Sequence, residues 1–196
     1  METAPRIFVI AGPNGSGKST SAPFFLRELF GILTYVNADA IASGLSAFAP
    51  EREAIEAGRI MLRQIHRLRG EKTDFAFETT LASRSYAPWL KSARAEGYEI
   101  YILFLSLQSP EAALSRVAER VRLGGHDIPR DVVIRRFHRG LGNFFNLYLP
   151  VCDRWFLLDN SNSTGPVIIA NGGKQIPLKV EEPETFDYLK GKYGAG

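Results

Sequence analysis

One cysteine, Cys152, in 196 residues excludes an internal disulfide, and nothing in the cysteine usage points to an oxidising compartment. Long apolar runs are missing too. Ile7 to Ala11 is far too short to cross a bilayer, and Met1 to Arg6 lacks the charged-then-apolar pattern of a leader. These absences set the expectation of a cytoplasmic protein with no membrane contact. No His/Cys/Asp cluster stands at zinc spacing, and there is no Gly-x-Ser-x-Gly elbow of a serine hydrolase. No repeat, low-complexity tract or linker interrupts the chain, so 196 residues with 45% apolar content read as a single domain over 1–196. Charge excess is slight: 24 basic against 21 acidic side chains gives +3, too mild to argue for nucleic acid by itself.

What the chain does have is a short β-forming run, Ile7-Phe8-Val9-Ile10, followed by a complete GxxxxGK[ST] loop. Gly12, Pro13, Asn14, Gly15, Ser16, Gly17, Lys18, Ser19 and Thr20 are therefore the candidate nucleotide-binding residues. Glycines let successive backbone N–H groups turn inward around phosphates, and the helix that follows presents its positive end to the same anion. Lys18 is placed to bridge the β- and γ-phosphates, and Ser19 to ligate Mg²⁺. ATP and Mg²⁺ are the cofactors these residues ask for.

Periodicity then alternates strand and helix. The first helix is expected over Lys18–Phe30, bent at Pro23. Tyr35-Val36-Asn37 reads as a strand ending at Asp39, and Pro50 opens a long helix to about Arg69. One face of that helix carries Ile55, Gly58, Met61, Leu62, Ile65 and Leu68; the other carries Arg52, Glu56, Arg59, Arg63 and Arg67 and reads as a solvated stripe. Strands follow at Asp74–Phe77 and Glu99–Leu107, and helices at Tyr86–Glu96, Pro110–Arg122 and Arg130–Phe145. Trp155–Leu158 is the last parallel strand. Val167–Ala170 and Gln175–Leu178 flank Asn171-Gly172-Gly173-Lys174 as a hairpin with a glycine turn, and Pro183–Tyr193 reads as a helix. The fold class is α/β: a P-loop NTPase/kinase-like three-layer sandwich with a mostly parallel sheet and a small C-terminal β-hairpin, the hairpin and tail covering about 165–196.

Phosphoryl transfer to a hydroxyl needs a base, a grip on the acceptor, and positive charge near the transferring group. Asp39, at a strand's carboxyl end, is the candidate base; its alternative role is to cap the helix starting near Ala40. Glu78 sits at the next strand end, where it either orients Mg²⁺ through water, hydrogen-bonds the acceptor, or caps the Thr79-Thr80 turn. Thr80 and Ser83 add weak acceptor contacts or structural turn bonds. Arg116 and Arg120 lie one helical turn apart before Gly124-Gly125, in a lid spanning about 116–136, with Arg116 as a nucleotide-binding candidate. Arg120 and Arg136 are the candidate catalytic arginines, and His126 in the glycine hinge is a turn residue or a phosphate contact.

Five segments in order, Ala11–Thr20, Val36–Asp39, Phe77–Thr80, Arg120–Pro129 and Leu158–Ser161, resemble the short, single-domain branch of the zeta-toxin family of P-loop kinases. The likeness runs from about Arg6 to Ser161. It implies a kinase fold and ATP-dependent phosphorylation of a hydroxyl on UDP-N-acetylglucosamine. It also implies Lys18 as the phosphate lysine, Asp39 as the base, Glu78 as an acceptor-binding acid, arginines between Arg120 and Arg136 as the γ-phosphate clamp, and an antitoxin protein as partner. Two rival readings remain open at this point: a nucleotide-driven ATPase switch acting on a protein, and a polynucleotide kinase using the basic helix, although no aromatic residues interleave its arginines.

Overall fold

The computed structural model describes residues 4–125 and 127–195, so His126 lies outside the described residues. Among the described residues, seven strands form one sheet in the order β2-β3-β1-β4-β5-β6-β7. β1 (Arg6–Ala11), β2 (Tyr35–Val36), β3 (Phe75–Thr79), β4 (Glu99–Ser106) and β5 (Arg154–Asp159) are parallel, whereas β6 (Val167–Gly173) and β7 (Lys179–Val180) are antiparallel. β1 is central. Its residues Ile7 to Ala11 are completely buried, which is why they read as an unbroken apolar run rather than an alternating one.

Helices cover the two faces unequally. One face receives α3 (Ala54–Gly70), α4 (Tyr86–Ala95), α5 (Pro110–Arg122), α6 (Arg130–Asn143) and α7 (Pro183–Tyr193), packed on a core that includes Val9, Phe77, Ile102, Phe104 and Leu157. The other receives α1 (Lys18–Pro23), whose Ala22 joins Phe8, Ile10, Leu26, Leu103 and Leu158. Each fully buried phenylalanine contributes about 2–3 kcal/mol through the area it removes from water.

At Pro23, where a bend is expected, the helix changes type: Phe24–Leu29 continues as a π-helical turn, with Phe30 N–H donating to the Phe25 carbonyl. α6 likewise runs on from Asn143 as a π segment, Phe144–Tyr148. The long helix opens with a 3₁₀ turn at Pro50–Glu53, and only Ala57, Met61, Ile65 and Leu68 of α3 are buried. Ile55 is 74% exposed and Leu62 43%, although α2 (Ala38–Leu45) packs against this helix. The basic stripe is solvated: Arg59 and Arg63 both pair with Glu56, and Arg67 pairs with Glu71.

The C-terminal hairpin is present but displaced. Asn171, Gly172 and Gly173 belong to β6, and the turn lies after them, between Lys174 and Leu178. Gly172 lies against the Trp155 ring, and a Cβ on Gly173 would fall 2.1 Å from the Asp153 carbonyl oxygen, so these glycines permit close approach to β5 instead of making a turn. Cys152 is buried, and burial pushes its thiol up to about 12, leaving it inert. No helix of the described residues is long and apolar enough to cross a membrane.

Candidate active site

The phosphate loop links β1 to α1, and its glycines are dictated by contacts as well as by turning. At Gly12, with φ of 142°, a Cβ would stand 2.2 Å from the Leu105 carbonyl oxygen; at Gly17, with φ of 81°, it would stand 2.5 Å from Asn160 Nδ2. Asn160, at the end of β5, donates from Nδ2 to the Ser16 carbonyl at 2.8 Å and so pins the loop from beneath. Lys18 is folded back, its ammonium donating to the Pro13 carbonyl at 2.9 Å and lying 3.8 Å from Glu78 Oε1. Burial pulls the Lys18 pKa below its ordinary value. Glu78 and then Asp39 oppose that shift, while Arg120 and Arg136 reinforce it.

Glu78 is the hub of this end of the sheet. Its Oε2 accepts from Ser19 Oγ at 2.8 Å, from Asn37 Nδ2 at 2.9 Å, and from the Tyr35 hydroxyl. Tyr35 and Asn37 are two residues apart at the end of β2 and so project to one side. Burial first, and Glu78 second, push the Tyr35 phenol well above the usual tyrosine range, so it is held as a donor. Asn37 does double work. Its Oδ1 accepts from the backbone N–H groups of Asp39 at 2.7 Å and Ala40 at 3.2 Å, which makes Asn37 the N-cap of α2. The capping role weighed for Asp39 thus belongs to Asn37. Asp39 sits in the first turn of α2 with its side chain exposed to the cleft.

A cleft of about 470 Å³ opens over the phosphate loop, and Lys18, Ser19, Asp39, Glu78, Thr80, Arg116, Arg120 and Arg136 all line it. The three arginines come from α5 and α6. Arg116 passes beside Gly15 and donates to the Ser161 carbonyl at 2.9 Å, and Arg136 donates to Asn14 Oδ1 at 3.3 Å. Gly58, Met61 and Tyr86 form a less polar part of the same wall. The Thr80 hydroxyl accepts from Ala82 N–H at 3.5 Å within its own turn, and the Ser83 hydroxyl bonds Ser85.

A sequence comparison places residues 1–146 within the zeta toxin model. The chain belongs to the zeta toxin family. An uncharacterized protein of Haemophilus influenzae is 30% identical over 126 residues, covering 64% of this chain and 88% of that protein. The AvrRxo1-ORF1:AvrRxo1-ORF2 complex with sulphate ions aligns with a TM-score of 0.73 at 19% identity, over 94% of this chain and 63% of that one. Its ATP form aligns at 0.70 and 18% identity, over 95% of this chain and 64% of that one. The PezAT toxin–antitoxin system of Streptococcus pneumoniae gives 0.67 at 13% identity, over 98% and 79%. The chain therefore spans somewhat under two thirds of the AvrRxo1 chains it matches. Family membership rests on the zeta toxin model, and the likeness to these solved structures is one of fold.

Tyr35, Asn37 and Asn160 have no role in the sequence reading, although Asn37 and Asn160 fall within the segments that carry the resemblance. The signals that point to them are weak: an i, i+2 polar pair closing a two-residue strand, and an amide at the carboxyl end of β5, where open α/β sheets put ligands.

Proposed function

We propose that the protein transfers the γ-phosphoryl group of ATP to a hydroxyl of a small molecule, with a sugar nucleotide such as UDP-N-acetylglucosamine as acceptor. The observation that carries this reading is that Asp39 shares one cleft with the phosphate loop and with three arginines from two helices. An acid placed there orients either an acceptor hydroxyl or an attacking water, and the product formed separates the two.

In this reading Lys18 leaves the Pro13 carbonyl for the β- and γ-phosphates, and Arg116, Arg120 and Arg136 neutralise the triphosphate and the charge gathering on the transferring group. The acceptor oxygen bonds to the γ-phosphorus as the bond from that phosphorus to the β,γ-bridging oxygen breaks. The hydroxyl proton passes to Asp39, and ADP leaves. Thr80 lies on the acceptor side. Glu78 keeps the nucleotide side in order: three donors occupy its Oε2, which favours its metal-orienting role over an acceptor contact.

The donor set fits Mg²⁺. Ser19 Oγ and the Glu78 carboxylate are hard oxygens 2.8 Å apart beside the loop, and no group of three or more His, Cys, Asp or Glu that would form a protein-only cage occurs among the described residues. Few protein ligands are what a nucleotide-borne Mg²⁺ takes. When bound there it supplies charge neutralisation of the phosphates. By donating its proton to Glu78, Ser19 turns a lone pair toward that position. A restraining antitoxin-type partner and a cytoplasmic setting belong to the same proposal, the first in keeping with the toxin–antitoxin description of PezAT.

The test is to incubate the protein with Mg-ATP and a metabolite extract containing nucleotide sugars, then to search by mass spectrometry for products heavier by one phosphate. A phosphorylated product absent with Asp39→Asn supports the reading. Release of free phosphate alone would replace it with a nucleotide-driven switch.

A further inference from the structure

One stripe of α6 touches both sides of the cleft. Arg136, Gly140 and Asn143 are spaced i, i+4 and i+7, so they share a helix face. Arg136 reaches Asn14 of the phosphate loop at 3.3 Å. One turn on, Gly140 lies so close to the turn after β3 that a Cβ would fall 2.5 Å from the Thr80 carbonyl oxygen. Next, Asn143 Nδ2 donates to the Leu81 carbonyl at 2.8 Å, and in the π segment that prolongs the helix the Tyr148 hydroxyl donates to the Ser83 carbonyl at 2.5 Å. The carbonyls of Thr80, Leu81 and Ser83 are thus each met by α6 or its π continuation.

The turn needs that grip. Leu81 has φ of 53°, a left-handed conformation that a branched, non-glycine residue keeps only where its surroundings impose it. Leu81 is completely buried, and Thr79 Oγ1 accepts from its N–H at 3.1 Å, so the turn is bonded from within as well as from α6. The π segment fits the same picture. One extra residue in the turn rotates Tyr148 to continue the stripe, where regular α-helical spacing would move its hydroxyl around the helix.

We propose that α6 is a strut that couples nucleotide occupancy to the shape of the acceptor-side turn, with Asn143 and Tyr148 as positioning residues for Thr80. It rests on the reading that Thr80 faces the acceptor. Nucleotide drawing Arg136 onto the phosphates seats the helix against the loop, and the same rigid rod then holds the 80–83 carbonyls in place two turns away. Neither Asn143 nor Tyr148 lines the cleft, so neither touches substrate.

Hydrogen exchange of the 80–85 amides, with and without Mg²⁺ and the β,γ-imido analogue of ATP, decides the matter without any acceptor. In the wild-type protein the analogue slows exchange there about tenfold; in Asn143→Ala and in Tyr148→Phe that difference shrinks to about twofold or less, while analogue affinity stays within about threefold. Tyr148→Phe removes only a hydroxyl and guards against a folding defect in the other variant. A purely structural role would speed exchange in both ligand states and leave the nucleotide-dependent difference intact. Persistence of that difference in both variants, or no nucleotide effect in the wild type, overturns the strut. Because the readout needs no phosphoryl transfer, it stands or falls separately from the kinase assay.

Discussion

Ser19 Oγ donates to Glu78 Oε2 across 2.8 Å, tying the last residue of the phosphate-loop motif to the end of a neighbouring strand. The bond exists because β1 and β3 run parallel and in register, Ile10 opposite Glu78, so both strands deliver their next residues to the same edge of the sheet. Around it, Tyr35 and Asn37 complete a set of donors for one buried carboxylate whose side chain is 10% exposed.

Removing a donor from that carboxylate is expected to destabilise the fold. Tyr35→Phe leaves Glu78 with one hydrogen bond fewer and costs about 1–2 kcal/mol. Asn37→Ala loses the bond and the N-cap of α2 together and costs about 2–3 kcal/mol. Denaturant unfolding of the two variants checks the order; equal losses would mean the cap contributes nothing.

Asp39→Asn is expected to preserve nucleotide affinity and to lower turnover by about 10²–10⁴-fold, the usual worth of a positioned base. Calorimetric titration with the β,γ-imido analogue, run beside a product assay, separates the two effects. Weakened binding would reassign Asp39 to the nucleotide.

Nucleotide binding carries a pH signature through Lys18. Burial holds its pKa low in the free protein, and phosphates raise it again, so binding takes up a proton in the interval between the two values. Affinity is fullest below the free-protein value and declines as pH rises through it. Titrations over a broad pH range, in buffers of differing ionisation enthalpy, measure the uptake; a profile flat throughout would show that the ammonium does not meet the phosphates.

Gly140→Ala sets a Cβ against the Thr80 carbonyl and is expected to destabilise the protein by about 1–3 kcal/mol, whereas Gly142→Ala, with nothing within 4 Å of the added carbon, is expected to stabilise it by up to about 1 kcal/mol through helix propensity. Thermal unfolding of the pair distinguishes a packing effect from a general dislike of alanine in this helix.

Much of this molecule is legible in its residues. Ile7 to Ile10, the glycine loop, Pro110 to Arg122 and Pro183 to Tyr193 carry local instructions: apolar runs, positive-φ glycines and helix-opening prolines act within a few residues of themselves. The parts that read wrongly lack such instructions. Asn171-Gly172-Gly173 has the composition of a turn, yet it is strand, because Trp155 and the Asp153 carbonyl leave no room for side chains on the partner strand. Ile55 and Leu62 have the right spacing for a core, yet stand exposed, because only packing decides which apolar positions find a neighbour.

The chain order by itself determined the glycine loop between β1 and α1, the alternation of strands and helices, and the short list of candidate acids and arginines. Tertiary structure alone decided that Asn37 and not Asp39 caps α2, that Tyr35 donates to Glu78 while Asn160 pins the loop, and that one stripe of α6 meets both walls of the cleft. The physical reason is range. Turning and capping are settled between near neighbours, whereas a buried carboxylate finds its donors only after parallel pairing brings together strands 43 residues apart in sequence, as Tyr35 and Glu78 are.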